Sequence, residues 1–239
     1  MFRPIPGGLL IAVEGVDGAG KTSVASLLAQ WCGERGLGCV ISKEPTGLKW
    51  GTELRASAKA GRLTLKRELE LFALDRQDHV KRSIMPALVE GNIVILDRYY
   101  WSTAAYQGAR GADADQIIIE NEIFAPVPDL VLVLDVDVEL GLSRIRSRGD
   151  SPNLFEAQAA LEESRRIFLM LADKHKNAIL LDASGQIGIT FPKALQAFQK
   201  IALQKIEKHS GEIGLDAENT AKLFFGGQQL AEEYEPVRA

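Results

Sequence analysis

Two patterns of apolar and polar positions alternate along this chain. Short runs that are apolar at almost every position have the length and composition of buried β-strands, and there are five: 9–13, 39–42, 92–96, 130–134 and 178–182. Between them, apolar residues recur every three or four positions, as on one face of a helix, most clearly over 65–89 (with a bend expected at Pro86), 154–175 and 191–209. Strands that are apolar throughout must be covered on both faces. The pattern therefore predicts an α/β fold with a five-stranded parallel sheet between two layers of helices.

The alternation runs over residues 9–209 and predicts a single domain there. Residues 1–8 contain two prolines and two glycines, which favour a short flexible lead. Residues 210–239 have no strong periodicity, so we expect an appended C-terminal tail of unknown role.

Composition narrows the class of protein. Hydrophobic residues make up 46% and charged residues 25%, as in ordinary globular domains, and no apolar run approaches the roughly 20 residues that cross a bilayer. The net charge of −4 argues against general nucleic-acid binding, so any anion site must be local. Cys32 and Cys39 are the only cysteines and lack metal-ligand spacing, which favours a reducing compartment. We expect a cytoplasmic protein whose partners are small molecules, with no nucleic acid and no membrane.

The first strand leads into a phosphate-binding P-loop. The pattern is Gly15-x-x-x-x-Gly20-Lys21-Thr22, and a helical pattern follows at once. Glycines let backbone N–H groups converge on phosphate oxygens at the positive end of that helix. Lys21 would reach the β and γ phosphates of ATP, and the Thr22 hydroxyl would bind Mg²⁺. The predicted phosphate-binding residues are Gly15, Val16, Asp17, Gly18, Ala19, Gly20, Lys21, Thr22 and Ser23.

Two further clusters of charge follow strands or helices. The third strand ends in Asp97 and Arg98, where a carboxylate can hold Mg²⁺ through water and a guanidinium can bind phosphate. Arg144, Arg146 and Arg148 precede a polar break at 149–153. That cluster has two open interpretations: a lid that closes over triphosphate, or a solvated basic helix end that complements the helix dipole.

From residue 9 to about 205 the chain closely resembles the thymidylate kinase family. The motifs that carry the resemblance are Glu14 to Thr22, Glu44-Pro45, Leu71-Phe72-Ala73-x-x-Arg76, Asp97-Arg98-Tyr99, Ser102, Ala105-Tyr106-Gln107-Gly108, Pro128-Asp129 and Asp135. The resemblance implies the three-layer P-loop nucleoside monophosphate kinase fold. It also implies a homodimer formed through helix faces.

The resemblance also implies roles for individual side chains. Phe72 would stack on thymine and Arg76 would hydrogen-bond it; Arg98 would bind the acceptor monophosphate; Tyr106 would pack against the sugar, with Gln107 near the base. Asp17 and Glu44 would lie near the sugar or the metal, and Ser102 belongs to the same substrate-binding set. From helical spacing alone, Phe72 would instead be a core residue.

The lid region differs from the family pattern. The P-loop has Gly18 where one subgroup places an arginine, so the chain resembles the bacterial-type subgroup, whose lid supplies the catalytic arginines. We expect a lid at about 149–156, with Arg144 and Arg148 as catalytic candidates beside Lys21 and Arg98. The usual lid pair of Asp and Arg is replaced by Asn153-Leu154, and the segment after Glu44-Pro45 is short, at Thr46-Gly47.

The reaction that the resemblance implies is transfer of the γ-phosphoryl group from ATP to dTMP, giving dTDP, with Mg²⁺. An ionised phosphate acceptor needs no general base, and none of the three histidines lies in a motif. Two alternatives stay open: a kinase for another (deoxy)nucleotide or a nucleoside, and a catalytically weak homologue with a binding or regulatory role. A GTPase switch would need a guanine-reading Asn/Thr-Lys-x-Asp string, which the chain lacks.

Overall fold

The structure of this protein is a computed structural model that describes residues 5–147 and 154–213. Five strands form the sheet: β1 Leu9–Glu14, β2 Cys39–Lys43, β3 Ile93–Asp97, β4 Leu130–Asp135 and β5 Ala178–Asp182. All their pairings are parallel, in the order β2-β3-β1-β4-β5. The predicted α/β fold with a five-stranded parallel sheet is confirmed.

Helices connect the strands and cover the sheet. They are α1 Lys21–Glu34, α2 Lys49–Ala60, α3 Leu65–His79, α4 Met85–Val89, α5 Tyr100–Gly108, α6 Ala114–Glu122, α7 Val138–Arg146, α8 Leu154–Lys174 and α9 Ile187–Ile213. In one layer α1 packs on α9, where the Trp31 and Phe198 rings meet edge to face at 5.6 Å. In the other layer α5 packs on α8, with Tyr106 against Phe168 at 6.3 Å. None of the described helices is long and apolar enough to cross a membrane.

The sheet places β1 between its two halves. β1, β3 and the first five residues of β4 are buried, which accounts for their continuous apolar composition. Val13 of β1 lies in register with Asp97 of β3. Because these strands are parallel, the loops that follow them emerge side by side at one edge of the sheet, where ligands bind in open α/β sheets.

Two local expectations change in the structure. The single helix expected over 65–89 is divided, because a π-helical segment, Val80–Ile84, separates α3 from α4 just before Pro86. Proline has no N–H to donate, so the helical hydrogen-bond pattern must adjust beside it. Residues 5–8, which were expected to be flexible, are held by Ile5. This residue is 1% exposed and belongs to the hydrophobic core, and its N–H donates to the Gly91 carbonyl.

The end of the domain runs slightly past its predicted limit. The last helix, α9, begins four residues earlier than the periodicity indicates and continues to Ile213, into the stretch expected to be tail. Residues 1–4 of the lead, 149–153 of the lid and 214–239 of the tail lie outside the described residues, as does Arg148.

Candidate active site

The P-loop joins β1 to α1 and packs tightly against α7. Gly18 has φ +82°, and an added Cβ would overlap the carbonyl oxygen of Gly141 in α7. Only glycine combines that conformation with that approach. α1 begins at Lys21 without a side-chain cap and without an acidic residue in its first turn. Its first N–H groups therefore have no side-chain cap and are available to donate to an anion.

Lys21 is buried at the base of this loop. Its Nζ donates a 2.7 Å hydrogen bond to the Val16 carbonyl, and the residue is 6% exposed. Burial, followed by repulsion from Arg98, lowers the pKa of Lys21 to about 7. The negative charge of a bound phosphate would favour the protonated, ammonium form of Lys21.

Thr22 and Asp97 supply neighbouring oxygen atoms for a cation. The Thr22 hydroxyl donates a 2.5 Å hydrogen bond to Asp97 Oδ2, across the β1–β3 pairing. In the described part of the chain, no cluster of three or more His, Cys, Asp or Glu residues could hold a metal by itself. A hydroxyl and one carboxylate suit Mg²⁺, which takes few protein ligands and completes its coordination with water and phosphate oxygens. The residues present therefore fit the expected metal.

Arg98 connects the P-loop with the far side of the site. It is the only non-glycine residue with positive φ among those described, at +73°. Its backbone N–H bonds the Val13 carbonyl at 3.0 Å, and its guanidinium donates to the carboxylate of Asp17 and, at 3.2 Å, to Ser102 Oγ. A strained conformation held by such contacts is typical of functional sites. The Asp17 carboxyl loses some stability as an anion through burial, but Arg98 and Lys21 outweigh this and lower its pKa.

Glu14 organises the turn that presents Arg98. It is fully buried and accepts hydrogen bonds from the Tyr99 N–H at 2.8 Å and from the Ser102 hydroxyl at 2.6 Å. Desolvation by burial raises the pKa of Glu14 to about 7, although these hydrogen bonds and the nearby cations oppose the shift. Its bonds to the β3–α5 turn join residues that are far apart in the chain, so they are visible only in three dimensions.

Arg76 is the centre of a buried polar cluster beneath the acceptor side. Its Nε donates to Glu44 at 2.8 Å, one terminal nitrogen donates to Asn121 at 2.5 Å, and the other donates to Thr103 at 3.0 Å. His79 also meets Glu44, at 3.0 Å. Arg76 and Glu44, which were predicted separately as substrate-binding residues, thus lie together in space, but most of the guanidinium donors already have protein partners. Thr103, Asn121 and His79 escaped sequence analysis because their partners are distant in sequence.

The α3 and α5 faces above this cluster carry the remaining predicted substrate residues. Phe72 lies one turn before Arg76 on α3; it is half-buried and outside the hydrophobic core of the described residues, contrary to the interpretation from spacing alone. On α5, the Gln107 Oε1 atom is buried without a hydrogen-bond partner among the described residues, whereas the Tyr106 hydroxyl interacts with Arg98 and Asp17. Native proteins rarely leave such an atom unpaired, so this amide oxygen needs a partner from outside the described residues, such as a water molecule or a ligand.

The short loop after Glu44-Pro45 is firmly anchored. Asp75 accepts hydrogen bonds from the Thr46 N–H at 2.7 Å, from the Thr46 hydroxyl at 2.6 Å and from the Gly51 N–H at 3.0 Å. One buried carboxylate from α3 therefore organises the loop and the start of α2.

Beside the P-loop lies a cavity of about 620 Å³, large enough for a nucleoside. It lies between the P-loop and the segment that joins β5 to α9, and its lining includes Gly18, Ser23, Arg144, Ser184 and Thr190. The Arg144 guanidinium donates to the carbonyls of Gly18 at 3.3 Å, Ala183 and Ser184 at 2.9 Å, and Gly185 at 3.0 Å. Arg144 thus ties the two walls of this cavity together, while Arg146 is exposed to solvent.

A P-loop at the centre of a five-stranded parallel sheet, facing a second set of polar groups across Arg98, defines a P-loop kinase of the nucleoside monophosphate type. The model of the thymidylate kinase family matches residues 13–192. The chain belongs to the thymidylate kinase family.

Three relatives illustrate the similarity. Thymidylate kinase of Xanthomonas campestris pv. campestris (strain B100) is 53% identical over 181 residues, 75% of this chain and 78% of that protein. Thymidylate kinase of Xanthomonas euvesicatoria pv. vesicatoria (strain 85-10) is 47% identical over 226 residues, 93% and 96% of the two chains. That of Xylella fastidiosa (strain M12) is 46% identical over 191 residues, 80% and 87%. The second match leaves only 7% of this chain unaligned and so extends into the residues after 209.

Proposed function

We propose that this protein transfers the γ-phosphoryl group of ATP to dTMP, giving ADP and dTDP. The observation that carries the proposal is the position of Arg98. Its guanidinium bonds Asp17 of the P-loop on one side and Ser102 of α5 on the other, so it lies where a donor phosphate and an acceptor phosphate would meet. Membership in the thymidylate kinase family supports the same reaction.

The chemistry requires positioning and charge neutralisation. An oxygen of the acceptor monophosphate forms the new bond to the γ-phosphorus as the bond to the β–γ bridging oxygen breaks, and ADP carries away the electron pair. The attacking oxygen is already ionised, so no side chain must remove a proton. Lys21 and Arg98 stabilise the charge on the transferred group, and the loop N–H groups hold the donor phosphates.

Mg²⁺ would be held by Thr22, with Asp97 accepting from that hydroxyl or from water on the ion. When bound, the ion neutralises charge on the β and γ phosphates. Among the lid candidates, the contacts of Arg144 support a role in shaping the donor cavity, because its donors are directed at backbone carbonyls. Arg148, which lies outside the described residues, is proposed as the lid arginine that stabilises the transferred group, because it directly precedes the polar break at 149–153.

The acceptor site is proposed between α3 and α5. Phe72 would stack on the thymine ring, Arg76 and Gln107 would contact its polar edge, and Tyr106 would pack against the sugar. The unpaired Gln107 oxygen supports this placement, as does the position of Phe72, which is only half-buried and lies outside the hydrophobic core of the described residues. Asp17 and Glu44 border the same space through Arg98 and Arg76 respectively.

We further propose a homodimer and a cytoplasmic location, where ATP and nucleotide monophosphates are available. Ile119 in α6 and Ile123, the residue that follows the end of this helix, are 59% and 80% exposed, and neighbouring exposed apolar side chains favour an interface. Light scattering on the wild type and on Ile123→Glu tests it: a wild-type monomer, or a variant with unchanged dimer dissociation, would exclude this interface.

A coupled assay with a panel of acceptors tests the function. The protein with ATP and Mg²⁺ is offered dTMP, dUMP, dCMP, dAMP, dGMP and thymidine. We expect stoichiometric ADP and dTDP, with dTMP the preferred acceptor. ATP binding without transfer to any acceptor, or preference for a purine nucleotide or for thymidine, would refute the proposal.

A further inference from the structure

Gln107 presents an unusual combination on α5. Gln107 is 4% exposed, its Oε1 atom is buried without a hydrogen-bond partner among the described residues, and its Nε2 donates a 3.2 Å hydrogen bond to Glu68 on α3. An amide side chain has one donor end and one acceptor end, and rotation by 180° exchanges them. Which end faces the acceptor site therefore depends on what holds the other end.

Glu68 holds that other end, and its carboxylate pairs with two arginines. It is 6% exposed and pairs with the Arg110 guanidinium, and Arg62 lies 3.6 Å from its second oxygen. Arg110 is itself anchored, donating to the Leu63 carbonyl at 3.3 Å. An ionised carboxylate can only accept hydrogen bonds. The Glu68 carboxylate therefore accepts a hydrogen bond from the NH₂ group of Gln107 and repels the carbonyl oxygen of the same amide, which must point away from Glu68.

The two helices place this pair beside the other acceptor residues. Glu68, Phe72 and Arg76 follow one another at four-residue intervals on α3, and Thr103 and Gln107 do so on α5. Arg76 bonds Thr103 directly, at 3.0 Å, so these two helix faces meet. The unpaired oxygen of Gln107 thus belongs to the same face-to-face surface that the base is proposed to enter.

We propose that Glu68 is a positioning residue that sets the base preference of the acceptor site by fixing the orientation of the Gln107 amide. A fixed carbonyl oxygen selects a ring that offers an N–H at the matching position. Thymine and uracil carry such a donor at N3, whereas cytosine has a hydrogen-bond acceptor there. A mismatched acceptor would leave the buried oxygen unpaired, and sites of this kind discriminate strongly. This inference rests on the proposed function, since it concerns the base of the acceptor nucleotide.

The test is Glu68→Gln, which keeps the shape but removes the charge. The amide introduced in this variant can both donate and accept, so the Gln107 amide is free to present either end. We expect the ratio of kcat/KM for dTMP over dCMP to fall about tenfold or more, which corresponds to about 1.4 kcal/mol or more. The dTMP over dUMP ratio should stay unchanged, because both rings carry the N3 donor. Glu70→Gln, the same change on the same helix at an exposed ion pair with Arg67, is the matched control and should change neither ratio.

A double exchange separates orientation from stability. In Glu68→Gln with Gln107→Glu, the carboxylate now on α5 presents an acceptor in either orientation, and the amide now on α3 supplies the donor. We expect this variant to recover most of the dTMP over dCMP ratio, even if Glu68→Gln alone is poorly folded. An unchanged ratio in Glu68→Gln, or no recovery in the folded double variant, would overturn the inference. If instead the wild type does not phosphorylate dTMP, it is the proposed function that fails.

Discussion

The Thr22 hydroxyl lies 2.5 Å from Asp97 Oδ2, although the two residues are 75 positions apart in the chain. The contact exists because β1 and β3 are adjacent parallel strands, so the P-loop helix starts beside the end of β3. It brings together the hydroxyl and the carboxylate that are proposed to hold Mg²⁺.

This pair predicts the behaviour of Asp97→Asn. Groups that orient a metal ligand typically contribute 10- to 100-fold in metal affinity or activity, and we expect the apparent affinity for Mg²⁺ to fall by about that factor. Initial rates measured against Mg²⁺ concentration at saturating nucleotides will show it. Asp135→Asn is the control, because Asp135 also ends a parallel strand but pairs with Arg165 at 2.6 Å. An equal loss of Mg²⁺ affinity in the control variant would contradict a specific role of Asp97 in binding the metal.

Nucleotide binding should take up a proton at Lys21. Burial and Arg98 lower the pKa of this amine to about 7, so it is mostly neutral at pH 8 in the free protein. The phosphates of ATP favour its charged form, and we expect uptake of about one proton per ATP bound. Calorimetry at pH 8 in buffers of different ionisation enthalpy measures this number. Lys21→Arg keeps the charge permanently and should bind ATP without proton uptake; uptake that persists there would assign it to another group.

Glu14 should impose a pH dependence on stability. Its pKa rises from 4.5 to about 7 on folding, so the folded state binds more protons than the unfolded state between those values. The contribution of this group to stability is therefore fully present below pH 4.5 and is lost as pH rises through 7. Urea unfolding of wild type and Glu14→Gln across pH 5–7 should give a flatter pH dependence in the variant. Glu90→Gln, at an exposed site, should retain the wild-type slope.

Gly18→Ala should weaken ATP use specifically. The methyl group would overlap the Gly141 carbonyl while φ is +82°, so the loop must move away from α7. We expect kcat/KM for ATP to fall by about tenfold or more, given an added strain of at least about 1 kcal/mol before the overlap is counted. Gly33→Ala in α1, where nothing lies within 4 Å of the added Cβ, should be neutral or slightly stabilising. Wild-type kinetics for Gly18→Ala would show that the loop can shift without functional loss.

Arg144→Lys should affect the donor and spare the acceptor. A lysine cannot reproduce the fork that bonds four backbone carbonyls of the P-loop and the β5–α9 connection. We expect the KM for ATP to rise about tenfold with the KM for dTMP unchanged. Arg146→Lys, exposed on the same helix, is the control. A fall in kcat without a change in KM would instead support the catalytic role that the sequence analysis predicts for Arg144.

Much of the site is predictable from sequence because its motifs are local. The P-loop needs glycine, lysine and threonine at set spacings between a strand and a helix, and Asp97-Arg98 directly follow a strand. Phe72 and Arg76 share a helix face by periodicity. These relationships are contained in a few consecutive residues, so the sequence itself determined the class of fold and the likeness to thymidylate kinases, and it predicts the position of the anion site.

Tertiary structure decided the partners of those residues. Asn121 bonds Arg76 from 45 positions away, Asp75 anchors Thr46 from 29, and Arg144 reaches Ser184 across 40. No spacing rule predicts such pairs, because they depend on which strands are neighbours and on how helices pack over them. The same holds for Glu68 and Gln107, whose contact across α3 and α5 leaves one amide oxygen unpaired. Sequence determined which chemical groups are present; the packing of distant elements determined their partners and which of them a substrate must complete.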